Sequence, residues 1–171
     1  MKKWNALLAL ALPLALGGCS YSYDLRAVAI DGRLAFVVDS QSNHSPSCFN
    51  AVQVLARGGV RAKISPGDDA SRVKYGTFWN ERLDYGCVDQ FPLFYGQTFK
   101  GMPYSPGQGA DIVAAKRLKI GVIYEISTTS GATGYGNGAF KILPDRRVVN
   151  VPPPPMDDPP EEARVGPSNG S

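Results

Sequence analysis

Leu118, Ile120, Val122, Tyr124 and Ile126 alternate with Lys119, Gly121, Ile123, Glu125 and Ser127. This two-residue period places one set of side chains on a single face, as in a half-buried β-strand over 118–127. A strand cannot stand alone, because its edges need partners and its apolar face needs cover. The rest of the chain must therefore supply further strands, and short apolar runs separated by turn residues do so. Ala27-Val28-Ala29-Ile30, Asp31-Gly32 and Arg33 to Val38 read as strand, turn and strand. Asp-Gly suits the positive φ angles of a type I′ hairpin. Phe49 to Ala56 reads as a strand with Cys48, Val52 and Val54 on one face, and Val60 to Ile64 as a short return strand.

Gln41 to Ser47 is polar loop, and Pro66-Gly67-Asp68-Asp69 is a turn. Cys87, Phe91, Leu93 and Tyr95 recur at even spacing, which predicts a strand over 88–95. Gly96 to Gly109 reads as a long loop, Asp111 to Lys116 as a single helical turn, and Ser130 to Gly138 as a glycine-rich loop. Ala139 to Leu143 and Arg147 to Val151 form a terminal strand pair around Pro144-Asp145. Seven to nine short strands with no long helix predict an all-β fold, a sandwich or a barrel.

The amino terminus has a different character. Met1-Lys2-Lys3-Trp4-Asn5 precedes an eleven-residue apolar run from Ala6 to Leu16. A membrane-spanning helix needs about 20 residues, whereas a secretory core needs about 7–15, so length favours a signal peptide. The run ends in Leu16-Gly17-Gly18-Cys19, which resembles the lipobox of bacterial lipoproteins. That resemblance covers residues 1–19 and implies cleavage before Cys19 and acylation of its sulfur. Two or more acyl chains anchor a protein stably. Ser20, in place of the Asp that tends to retain such proteins at the inner membrane, points to the outer membrane of a Gram-negative cell. The expected organisation is a signal peptide at 1–18, a lipidated spacer at 19–24, a β-sandwich at 25–151 and a tail at 152–171.

Removal of residues 1–18 leaves 153, enough for one domain. It also leaves 16 basic against 15 acidic residues, so no net field draws in nucleic acid. The tail holds Asp157, Asp158, Glu161 and Glu162 against Arg164 alone, with seven prolines in twenty residues. With almost no large apolar side chain, it is expected to be disordered or polyproline-like. Cys48 and Cys87 are the two cysteines besides Cys19, and in an oxidising compartment they read as a disulfide. Closing a loop of that length contributes about 4 kcal/mol in the chain-entropy model.

Leu118 and Tyr124, six residues apart on one strand face, resemble the Leu-x-Pro-x-Thr-x-Tyr pattern of fibronectin type III domains. Ile120 and Val122 replace the Pro and Thr. The resemblance implies a single immunoglobulin/fibronectin III-like β-sandwich in which Tyr124 caps a corner by bonding back to the backbone. The tryptophan that such folds carry on an early strand is absent, with Phe36 and Val38 in its region.

Catalysis needs a base, a nucleophile or a metal, and the chain offers few. His44 is the only histidine, and nothing in sequence orients it. Asp68, Asp69, Asp84 and Asp89 lack the alternating spacing of a calcium loop. Glu81 and Asp84, among Trp79 and Tyr85, are the least implausible carboxylate pair. Gly134-x-Gly136-x-Gly138 is not followed by a helix and does not read as a phosphate loop. Lys116-Arg117-Lys119 reads as a solvated strand start. No enzyme, metal or cofactor is implied.

What remains is the aromatic stretch from Tyr75 to Tyr104, of which Trp79, Tyr85, Phe99 and Tyr104 are the candidate binding residues. Large rigid rings suit recognition at low entropic cost. The expected function is a lipid-anchored, non-enzymatic binding or structural module of the bacterial envelope, recognising another envelope protein. The alternatives are a carbohydrate or peptidoglycan binder and a secreted inhibitor of a lysozyme or protease that inserts the 96–109 loop.

Overall fold

A computed structural model describes residues 20–84, 86–101 and 111–152. Ten strands and one short helix occur among them: β1 (Tyr21–Ile30), β2 (Arg33–Val38), β3 (Cys48–Phe49), β4 (Ala51–Ala56), α1 (Ala70–Lys74), β5 (Thr77–Arg82), β6 (Asp89–Gln90), β7 (Leu93–Phe94), β8 (Ile123–Ser130), β9 (Gly134–Ile142) and β10 (Val148–Asn150). The protein is all-β, as the turn-separated apolar runs predict.

Eight strands form one curled sheet in the order β5-β4-β8-β9-β1-β2-β7, with β10 also paired to β9. The curl comes from β1, which changes partner midway. Tyr21 to Asp24 run parallel to Gly134 to Asn137 of β9, and Leu25 to Ile30 then pair antiparallel with β2. Where β1 leaves β9, β10 takes its place beside residues 140–142. Asn150 closes the gap: its amide donates to the Ala27 carbonyl at 2.9 Å and its oxygen accepts from the Ala27 N–H at 2.7 Å. One side chain thus replaces a missing ladder rung, as buried backbone groups require. A curled sheet of this kind is compatible with a two-layered sandwich.

The expected spacer overlaps β1. Its first strand begins at Tyr21, and Tyr23 is buried. The reason lies in β9, where Gly134, Gly136 and Gly138 present a bare inner face. A Cβ on Gly136 would stand 2.2 Å from the Tyr23 ring, and one on Gly138 would stand 2.3 Å from the Leu25 carbonyl oxygen. Glycine at these sites lets another strand approach closely. The Tyr23 hydroxyl then reaches Thr128 Oγ1 at 2.8 Å on the next strand, β8. These glycines are therefore strand residues, and the expected loop over 130–138 is confined to the hairpin before Gly134.

Two linked aromatic groups fill the interior. Phe36, Phe140, Tyr124 and Phe78 follow one another with ring centroids 5.0–5.6 Å apart. Trp79 meets Tyr95 and Phe99, and Phe49 meets Phe99 and Phe91. Cys48 and Cys87 form the expected disulfide, with Cα atoms 5.4 Å apart, beside the small β3–β6 pair.

Several element boundaries differ from expectation. The regular strand starts at Ile123 rather than Leu118, because Gly121 turns the chain at φ +79° and leaves Ile120 exposed. Leu118 still packs on the core, and the Tyr124 hydroxyl accepts the Lys119 N–H at 2.8 Å. The strand expected over 88–95 is two short pairs, β6 and β7, interrupted at Phe91-Pro92. No strand forms over 60–64 and no helix over 111–116. Instead Val113 bridges to Asn80 on the edge of β5. The one helix, α1, is capped by Asp69, whose carboxylate accepts the N–H groups of Ser71 and Arg72.

Candidate functional site

The period-2 pattern gives β4, β5, β8 and β9 two unlike faces. Tyr124, Ile126 and Thr128 point inward on β8, while Glu125, Ser127 and Thr129 point outward. Register aligns the outward residues of neighbouring strands into rows. One row is Asn80, Gln53, Ser127 and Asn137, and the next is Arg82, Ala51, Thr129 and Tyr135. Across four strands each row is about 14 Å long.

These rows floor an open groove of about 220 Å³. One wall is built by α1 and the segment before Val113. Arg72 Nη2 donates to Asp111 Oδ2 at 2.6 Å, and its Nε also contacts that carboxylate. Asn80 Nδ2 donates to the Asp111 carbonyl at 2.6 Å, so α1, β5 and residue 111 are tied together. Asp69 is held below the usual carboxylate range, first by its bond from the Ser71 hydroxyl and then by the Arg72 N–H. The opposite wall is β9, where Tyr135 is 47% exposed and Asn137 is also open to solvent. The groove offers amide, hydroxyl and guanidinium groups with one free ring. It can hydrogen-bond a polar surface and stack against a flat one.

The residues singled out by sequence fare differently. Trp79 and Phe99 are 1% and 6% exposed, so neither presents a surface to a ligand. Both serve the core instead, because β5 places Trp79 on the inner face opposite Val54 and Phe99 packs edge-on against Trp79 and Phe49. Tyr85, Tyr104 and Cys19 lie outside the described residues, as do most of the 96–109 loop and the tail beyond Pro152.

Glu81 and Asp84 separate. Glu81 stands opposite Val52 on the inner side, where burial raises its carboxyl above the usual range. The Phe99 N–H and the Trp79 indole partly offset that shift, and the charge of Asp89 adds to it. Asp84 is exposed. His44 is exposed and lies 4.9 Å, ring to ring, from Tyr21. Among the described residues no three His, Cys, Asp or Glu side chains group as metal ligands, and no helix is long and apolar enough to cross a membrane.

Sequence reasoning missed the groove because it treated Tyr135 and Asn137 as loop. The alternation Gly134-Tyr135-Gly136-Asn137-Gly138 was the available signal, since it describes a strand with one bare face and one polar face. No family model, no curated protein and no solved structure matches the chain.

Proposed function

We propose that the protein is a lipid-anchored, non-enzymatic binding module of the bacterial envelope, and that it engages another envelope protein through the outer face of β4, β5, β8 and β9. The observation that carries this reading is the groove itself. Its outward sheet residues are Ala, Gln, Asn, Ser, Thr, Tyr and Arg, the carboxylates of Asp111 and Glu81 are also among its lining, and no lysine lines it. A merely solvated sheet face is usually rich in Lys and Glu. Protein-binding surfaces favour Tyr and Arg anchors with adaptable Asn and Ser between them. The strand path supports an immunoglobulin-like topology for the module. Strands β5-β4-β8-β9 correspond to C′-C-F-G and β1-β2-β7 to A-B-E, with Tyr124 in the corner position.

A photo-crosslinking residue at Asn137 in intact cells tests the contact. The expected result is one discrete protein adduct, lost when Gln53 and Ser127 are both changed to Arg. Recovery of glycan fragments in place of a protein, or of no adduct, overturns it. The anchor is tested separately by labelling with a fatty-acid probe, which is expected to mark the natural chain and not Cys19→Ser.

A further inference from the structure

Two connecting segments meet at one end of the sheet, 60–65 after β4 and 114–121 before β8. Between them lies an open groove of about 530 Å³ lined by Arg61, Lys63, Lys116, Arg117 and Lys119, with the buried Phe78 beneath. Sequence order shows only the last three as neighbours, and the fold adds Arg61 and Lys63 from more than 50 residues earlier. Lys119 Nζ ties the segments by donating to the Arg61 carbonyl at 3.2 Å.

One cation is already committed. Lys116 Nζ lies 2.5 Å from Asp68 Oδ2 and 3.0 Å from Ser65 Oγ, with its side chain only 10% exposed. Arg61, Lys63 and Arg117 are exposed, and among the described residues no acidic side chain pairs with them. Gathering unpaired like charges raises the energy of the folded chain, and a ligand of opposite sign relieves it.

The location narrows the ligand. The Gly121 N–H bonds to the Ile142 carbonyl at 2.8 Å, which puts this end of the groove at the last residue of β9. Tyr21 pairs with Gly134, the first residue of β9, about 26 Å away along the strand. The cationic end is therefore remote from Tyr21.

We propose that this groove docks an anionic polymer bearing carboxylates or phosphates, such as the acidic material of a cell wall. Cations stand on both sides of an open trough, which suits a chain of repeated charges better than one small anion. That the trough faces away from a membrane rests on the lipid-anchor reading, while its binding chemistry does not.

The test uses the full chain in neutral detergent, with fluorescent poly-L-glutamate and purified sacculi as probes at about 0.1 M salt. Saturable binding to both is expected. The double variant Lys63→Glu/Arg117→Glu should bind about tenfold more weakly. Arg26→Glu/Lys100→Glu makes the same change in net charge at exposed sites elsewhere and should stay within about twofold. Thermal melts confirm that both variants fold. Equal losses in the two variants, or no binding to either probe, would each overturn the proposal. Acylation does not enter the measurement, so a failure here is distinct from a failure of the anchor.

Discussion

The inner and outer faces of β4, β5, β8 and β9 share one backbone and one register, yet they answer to different demands. Inward, Val54, Trp79, Ile126 and Tyr124 are each at most 2% exposed and share one core with Leu25 of β1 and Phe36 of β2. Outward, Gln53, Ser127, Thr129 and Asn137 are half-buried or exposed. The difference shows that strand pairing sets where side chains stand, while what covers each face sets what a substitution costs. The inner face should be sensitive in stability and the outer face in recognition.

Trp79→Ala should break the inner face most severely. It leaves a large cavity and is expected to cost about 3–5 kcal/mol, measured by urea unfolding. Gly136→Ala attacks the same face from the opposite strand. Its new methyl group would collide with the Tyr23 ring and Thr128, at a cost of about 3 kcal/mol. Alanine at the neighbouring outward position 137 should have little effect on stability, and equal losses at 136 and 137 would refute the two-faced description.

A smaller effect is expected outside both faces, at the Asp68–Lys116 pair. Burial alone would raise the Asp68 carboxyl, but Lys116 and the Ser65 and Ala114 N–H groups outweigh it and hold it low. A carboxyl held low in the folded state stabilises fully above its unfolded value, and that gain is lost as pH falls through its folded value. Asp68→Asn should therefore cost about 2 kcal/mol at pH 7, and its melting curve should approach that of the natural protein in acid. A difference that persists or grows as pH falls would contradict this assignment.

The least effect on stability should come from Gln53→Ala combined with Ser127→Ala, within about 0.5 kcal/mol. The same variant should lose the crosslinked partner. Retained crosslinking without loss of stability would make the outer face simple solvated surface.

Legibility in the sequence followed how local each signal was. The Asp31-Gly32 hairpin was readable because two adjacent residues determine it, and Ile30 does pair with Arg33 around positive φ angles. The terminal pair of β9 and β10 was readable for a similar reason, and the disulfide because Cys48 and Cys87 are the two cysteines besides Cys19. The Tyr124 hydroxyl does bond to the backbone, at the Lys119 N–H, although the regular strand begins only at Ile123. Long-range facts were not readable. Nothing local shows that Gly134, Gly136 and Gly138 face Tyr23 and Leu25, since that depends on β1 crossing to β9. Trp79 and Phe99 looked like binding residues because polar neighbours surround them in sequence, whereas in space they meet Tyr95 and Phe49. The cationic trough has the same origin, as its two sides are half the domain apart along the chain.

The parallel seating of β1 on β9 has a mechanical consequence. Only Ser20 separates Cys19 from the first paired residue, so the lipid anchor proposed there would have almost no slack. A pull between that tether and the far end of the sheet runs along β1. It would stress the rungs to β9 and to β2 together by sliding, instead of peeling them off one at a time, and so spread the load across the whole strand.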